Sequence, residues 1–156
     1  MKYLKYEYWV NINSCNPKIC YESNIQWEQA ACDYSLYFNK VCEKLPEKFF
    51  MVYKNNSGFH DMLLNEYNFN NNSKFAIIKF ISHKKKISIG LKNVSKFQFY
   101  NFQYNQFNIS IKTDIFNNKL YCGYTEFELL KNCWEWRILF DNGMELHIRT
   151  DDFQIL

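Results

Sequence analysis

His60 and Asp61, within Gly58-Phe59-His60-Asp61, are the adjacent side chains of this sequence best suited to chemistry. A carboxylate beside an imidazole can fix the tautomer of the ring or share a metal ion with it. Neighbouring residues on a strand point to opposite faces, so these two side chains would meet only at a turn. The sequence places no nucleophile or further metal ligand beside them, which favours a structural role at the entry of a strand. A small hydrolase or ligand-binding site built on His60 and Asp61 is the alternative.

A basic segment, His83-Lys84-Lys85-Lys86, precedes a stretch rich in aromatic residues. Lysines neutralise phosphates and aromatic rings stack on bases, so single-stranded nucleic acid is a second alternative ligand. These rings alternate with polar residues as core-facing side chains do, and the chain has 19 basic against 16 acidic residues. Nucleic acid is therefore not the expected partner. The rings concerned are Phe97, Phe99, Tyr100, Phe102 and Tyr104.

Several familiar kinds of site are excluded by the residues that the sequence lacks. Its four glycines lie far apart, which removes phosphate-cradling loops and dinucleotide-binding fingerprints. There is no Gly-x-Ser-x-Gly sequence, and none of the six cysteines belongs to a Cys-x-x-Cys pair. We therefore expect free thiols, and we assign no catalytic residue, metal site or cofactor. An enzyme is the minority interpretation.

The segment from Trp134 to Arg149 predicts a β-hairpin whose register follows from its residue pattern. A two-residue turn at Asn142-Gly143 would mix apolar and charged side chains on one face. A three-residue loop with Gly143 in the left-handed conformation separates them instead. It pairs Phe140 with Met144, Ile138 with Leu146 and Trp136 with Ile148.

The opposite face of this hairpin is charged, and we predict that it binds another protein. Arginine is favoured at binding hot spots because its planar guanidinium makes paired hydrogen bonds. The predicted protein-binding residues are Glu135, Arg137, Leu139, Glu145, His147 and Arg149. His147 lies opposite Arg137, whose charge disfavours a second cation, so a neutral surface imidazole is expected. If elements of the chain itself cover Leu139, the sheet is buried on both sides; if Leu139 is exposed, it marks a partner site.

One amphipathic helix is predicted over about residues 24–45. Ser23-Asn24-Ile25-Gln26 has the spacing of a capping box, and Pro46 ends the helix. Its apolar residues advance by three or four positions and form one stripe, which we expect to pack on a sheet. They are Trp27, Ala31, Tyr34, Phe38, Val41 and Leu45.

Alternating apolar and polar residues predict strands in most of the remaining sequence. A first strand or strand-like arm is predicted over 3–12. The β-rich part spans about 48–156, with strands at 49–53, 62–69, 75–81, 87–91, 94–100, 107–111 and 120–124, turns at 70–73 and 117–118, and a strand or helical turn at 126–132. The fold class is α+β: a single domain, 1–156, with one N-terminal amphipathic helix packed on a mostly antiparallel sheet of about six to eight strands.

No part of the sequence approaches the roughly 20 consecutive apolar residues of a membrane span. The first residues also lack the apolar segment of a signal peptide. We therefore expect a cytoplasmic protein that does not bind a membrane.

Phe59-His60-Asp61 leading into long alternating strands, together with the acidic-turn-glycine hairpin, resembles small uncharacterised bacterial α+β proteins. These include some immunity proteins of polymorphic toxin systems. The likeness covers about residues 59–111, and it implies stoichiometric binding of another protein with no catalytic residue. We therefore predict a bacterial protein-interaction module, with an immunity-like inhibitor of a toxin as its specific form. Homodimer formation through an unpaired edge strand is compatible with each of these functions.

Overall fold

The computed structural model describes residues 1–101 and 119–156. Within them the fold is α+β, as predicted, with three α-helices and eight strands. The helices are α1 (Tyr6–Ile12), α2 (Pro17–Val41) and α3 (Glu47–Asn55), and the strands are β1 (Leu63–Asn70), β2 (Phe75–Ile81), β3 (Lys86–Lys92), β4 (Lys96–Asn101), β5 (Cys122–Leu129), β6 (Trp134–Phe140), β7 (Met144–Thr150) and β8 (Asp152–Ile155).

The strands form two antiparallel sheets of four, in the orders β1-β2-β3-β8 and β4-β7-β6-β5. The chain passes between the sheets at β3–β4 and at β7–β8, where Ser95 N–H donates to the Arg149 carbonyl at 2.9 Å and Asp151 N–H to the Lys92 carbonyl at 3.1 Å. At the opposite edges of the sheets, Leu63 of β1 forms a single antiparallel bridge with Tyr121, the residue before β5. The two sheets therefore enclose one core between them.

The core-facing side chains alternate along each strand, and α3 adds aromatic rings between the sheets. Phe49 of α3 is fully buried and stacks on Phe153 of β8, with ring centroids 4.4 Å apart. Residues 49–53 were predicted as a strand, and this prediction is wrong. Phe49 and Tyr53 lie four residues apart, which places both on one face of a helix, and both contact Phe127 of β5.

The long helix α2 confirms the predicted helix but begins earlier than expected. Its N-cap is Asn16, whose side-chain oxygen accepts hydrogen bonds from Lys18 N–H at 3.0 Å and Ile19 N–H at 3.4 Å. Pro17 follows at the first helical position, where its missing N–H costs nothing. The predicted capping box at Ser23 is therefore wrong, since Ser23 lies buried inside the helix.

The first element is the short helix α1, so the strand-like arm predicted over 3–12 is also wrong. A seven-residue helix is not stable alone in water, and tertiary packing must hold it. Tyr6 and Trp9 stack one turn apart, with ring centroids separated by 5.9 Å. The Tyr6 ring also lies so close to Gly143 that a Cβ there would be 2.4 Å from its Cζ atom.

The terminal hairpin has the predicted register. Trp136 pairs with Ile148 and Ile138 with Leu146. Gly143 adopts a φ of 79°, the left-handed value that the three-residue loop requires. The strand predicted at 107–111 and the turn at 117–118 lie outside the described residues, while 126–129 continue β5 as strand. Among the described residues, no helix is both long and apolar enough to cross a membrane.

Candidate functional site

The sharp corner between α3 and β1 brings His60 and Asp61 together. Ser57, Gly58, Phe59 and Asp61 all have positive φ, at 50°, 67°, 67° and 61°. Non-glycine residues in this region each cost about 1 kcal/mol or more, so surrounding contacts must hold them. Phe59 supplies such a contact, because it is fully buried and its ring lies parallel to Phe80 at 5.3 Å.

The side chains of His60 and Asp61 meet at this corner, which is a turn, as their contact requires. The Nδ1 atom of His60 lies 3.0 Å from an Asp61 carboxylate oxygen, and both residues are exposed. The imidazole also contacts the Tyr124 ring edge-on, at 5.4 Å between centroids. Asp61 N–H donates to the Cys122 carbonyl at 2.8 Å, which ties the corner to β5. The carboxylate is thus placed to orient the imidazole.

Beside this pair is a pocket of about 250 Å³, which we call the acidic pocket. Its apolar wall includes Trp9, Tyr124 and Leu139, and its carboxylates are those of Asp61 and Asp141. Within the described part of the chain, neither carboxylate forms an ion pair with lysine or arginine, and no lysine or arginine lines the pocket. The pocket thus combines aromatic rings with unneutralised negative charge.

The first four residues, which we call the N-terminal strap, hold α1 and hence Trp9 in place. The Glu126 side chain is 1% exposed and accepts backbone hydrogen bonds from Lys2 at 2.7 Å, Tyr3 at 2.9 Å and also Leu4. Such charge-assisted bonds are stronger than bonds between neutral groups. The α-ammonium group of Met1 pairs in addition with the Glu145 carboxylate.

Helix α2 holds the other wall of the pocket through the free edge of β5. Phe127 N–H donates to the Tyr34 hydroxyl, and Leu129 N–H to the Tyr37 hydroxyl, both at 2.8 Å. These bonds satisfy edge donors that would otherwise lack a partner under the helix. Burial raises the pKa of Tyr34, so its hydroxyl stays neutral. Trp27 packs edge-on against Tyr124 at 4.6 Å and fixes that ring at the pocket.

The predicted protein-binding face of the hairpin is largely covered in the structure. Glu135, Leu139 and Glu145 are buried, Arg137 and His147 are half-buried, and Arg149 alone of the six is exposed. The N-terminal strap bonds to Glu126 and Glu145 on this side of the sheet, and Trp9 of α1 shares the acidic pocket with Leu139. Leu139 is 2% exposed, so the chain itself covers it and this side of the sheet is buried too. The sequence carries no signal for the strap, because hydrogen bonds to backbone N–H groups leave no residue pattern.

The charges of that face neutralise one another. Arg137 pairs with Glu128 at 2.7 Å and also with Glu135. Burial alone would raise the pKa of Glu135, but the nearby arginines, Arg137 and Arg149, outweigh it and lower the pKa. His147 is 2.6 Å from Glu145 rather than paired with a surface group, and burial lowers its pKa. The lowered pKa favours the neutral imidazole that the sequence predicts, but its main cause is burial rather than the charge of Arg137.

On the other side of His60 lies a second depression of about 390 Å³, which we call the basic hollow. It is formed by the corner after α3 and by the loop between β2 and β3. It brings His60 together with His83, Lys84 and Lys85, two motifs that lie more than twenty residues apart in the sequence. Nothing in the sequence of either motif indicates that the two loops meet.

Comparison with known proteins adds no relationship. No protein-family model matches this chain, and a search of curated proteins finds no significant relative. The described residues contain no group of three or more His, Cys, Asp or Glu side chains that could hold a metal ion.

Proposed function

We propose that this protein is a non-enzymatic protein-interaction module that binds a basic side chain of its partner in the acidic pocket. The observation that carries the proposal is the pair of carboxylates, Asp61 and Asp141, beside the rings of Trp9 and Tyr124. Binding pockets that anchor a partner typically combine aromatic walls with a few well-placed polar groups.

Arginine is the partner side chain that this pocket fits best. Its guanidinium stacks on aromatic faces and makes paired hydrogen bonds to carboxylates, whereas lysine offers only a point charge. Two exposed apolar residues are attached to residues of the pocket: Val10 follows Trp9 in α1 and is 42% exposed, and Tyr121, whose carbonyl accepts from Asp141 N–H, is 37% exposed. They would extend the contact beyond a single side chain.

An immunity-like inhibitor is the specific form of this function that the resemblance to immunity proteins suggests. The partner would then be a toxin encoded beside this gene. Co-expression of the tagged chain with the product of each adjacent gene tests this form, and one of these products should co-purify with it. The double substitution Asp61→Asn and Asp141→Asn should abolish that co-purification, while Asp33→Asn, an exposed carboxylate on α2, should leave it unchanged. Retention of the partner by the double variant would contradict the proposed site.

A small hydrolase is the second candidate, favoured by the 3.0 Å contact of His60 with Asp61. A carboxylate that orients an imidazole is one part of a general base. Among residues 1–101 and 119–156, no serine, threonine or cysteine that such a base could activate lines the acidic pocket. Hydrolysis of a panel of activated esters that His60→Gln eliminates would favour this candidate. Partner binding that survives His60→Gln but not the double aspartate substitution favours the interaction module.

A further inference from the structure

The basic hollow shares only His60 with the acidic pocket and has the opposite chemistry. Its lining presents two ammonium groups, Lys84 and Lys85, and two imidazoles, His60 and His83, and none of the described residues that line it is an aspartate or glutamate. Asn55, Asn56 and Ser57 line the hollow on the α3 side. The hollow therefore gathers many hydrogen-bond donors around one small volume.

The two lysines of the hollow differ from the lysines that form ion pairs on the neighbouring strands β2 and β3. Lys79 pairs with Glu66 at 2.7 Å, and Lys92 with Asp152 at 3.5 Å. Among the described residues, Lys84 and Lys85 have no carboxylate partner. Lys85 donates instead to the neutral Asn56 side-chain oxygen at 3.0 Å, which directs its ammonium toward the hollow without neutralising its charge.

Backbone and amide contacts hold both walls of the hollow. Ser82 N–H donates to the Lys85 carbonyl at 2.9 Å and closes the loop between β2 and β3. The Asn56 side-chain NH₂ donates to the Val52 carbonyl of α3 at 2.6 Å, which leaves its oxygen for Lys85. Lys85 and Asn56 therefore join the two walls across the hollow.

We infer that the basic hollow binds a single phosphate group carried by a small ligand or a phosphorylated side chain. A phosphate monoester bears close to two negative charges and three acceptor oxygens, which match several convergent donors better than one carboxylate does. This inference goes beyond the proposed partner binding and uses different residues, His60 excepted.

Single-stranded nucleic acid fits the hollow less well, because no aromatic ring of residues 1–101 or 119–156 lines it other than the two imidazoles; Phe102 and Tyr104 lie outside the described residues. Binding of single strands relies on aromatic side chains under successive bases. Phe99 is buried in the core, and Phe97 stacks on Phe69 at 5.5 Å. Neither ring lines the hollow.

Isothermal titration of the full chain with inorganic phosphate and with phosphoserine amide tests the inference. Lys84→Gln and Lys85→Gln should each weaken binding roughly 10- to 30-fold, the effect in water of removing one charge about 4 Å from a phosphate that carries about 1.5 to 2 negative charges. The double variant should show no measurable binding. Lys86→Gln is the matched control. It removes the same charge from the same lysine run but lies outside the hollow, so its affinity should change less than twofold.

Three results would overturn the inference. One is the absence of saturable binding of either phosphate ligand. Another is equal weakening by Lys86→Gln, which would indicate only a general charge effect. The third is an affinity for single-stranded oligonucleotides that rises with their length and exceeds that for phosphoserine amide, since this would assign the lysines to a nucleic-acid backbone. Heat denaturation of each variant verifies that loss of binding does not reflect unfolding.

Discussion

Replacement of Glu126 by glutamine should release the N-terminal strap and loosen α1. The carboxylate accepts backbone bonds from Lys2, Tyr3 and Leu4, with Tyr3 and Leu4 on one oxygen and Lys2 on the other. Glutamine keeps nearly the same shape, so the substitution changes charge and hydrogen bonding without creating a cavity. Its single carbonyl oxygen can serve only one of these two groups of donors.

The expected loss of stability follows from these three bonds. If the amide oxygen keeps Tyr3 and Leu4, the Lys2 N–H faces an NH₂ group and loses its acceptor, which costs about 1–3 kcal/mol. The other two bonds lose their charge assistance, at about 1 kcal/mol each. The free energy of unfolding should therefore fall by roughly 3–5 kcal/mol, a large part of the stability of a domain.

Urea unfolding and amide hydrogen exchange measure this effect. Exchange at Lys2, Tyr3 and Leu4 should accelerate strongly in Glu126→Gln, because the released strap exposes their N–H groups. Glu128→Gln is the matched control: Glu128 is partly exposed and bonds only side chains, so its loss should cost about 1 kcal/mol or less. Equal destabilisation by the two variants, with unchanged exchange at residues 2–4, would refute this account of the strap.

Three further predictions concern the same framework. Gly143→Ala should destabilise the protein by more than 1 kcal/mol in urea unfolding, because φ is 79° and the new Cβ would overlap the Tyr6 ring; an unchanged midpoint would contradict this. Burial would raise the pKa of Glu145, but its bond to His147 and the Met1 ammonium outweigh burial and lower the pKa. Such a group stabilises the fold above its unfolded pKa of about 4.3 and loses this contribution as pH falls through its folded pKa. The free energy of unfolding should therefore decline in acid. In Glu145→Gln this decline should be shallower below about pH 4. Burial raises the pKa of the Cys122 thiol. A thiol reagent at about pH 8 should therefore label the exposed Cys32 and leave Cys122 unmodified until the protein unfolds. Labelling of Cys122 in the folded protein would contradict this and show that β5 opens.

The terminal hairpin was predictable because two independent constraints agree on it. The apolar alternation selects one register, and Gly143 supplies the only loop that satisfies it. The two incorrect strands, at 3–12 and 49–53, lack such a second constraint. Short apolar segments suit a helix or a strand equally, and tertiary contacts decided both, through Phe49 in the core and Tyr6 against Gly143.

Some residues of the candidate sites could be predicted from the sequence, but the pockets that they form could not. His60 and Asp61 were recognised as a pair, and the structure shows that a strained corner brings them together. Trp9 and Asp141, however, reach the acidic pocket from distant parts of the chain. The N-terminal strap over the outer face of the sheet is likewise held through backbone N–H groups. Contacts of this kind leave no pattern in a single sequence.

The most direct test of the proposed function is an NMR titration of the full chain with N-acetylarginine amide, compared with N-acetylcitrulline amide. Citrulline has nearly the shape of arginine but no charge, so the comparison isolates recognition of the guanidinium. We predict saturable shifts at the Trp9 indole and at the Asp61 and Asp141 amides with arginine, little change with citrulline, and no shifts in the Asp61→Asn, Asp141→Asn double variant. Equal responses to the two ligands, or shifts that leave these three residues unaffected, would contradict the claim that the acidic pocket binds a basic side chain.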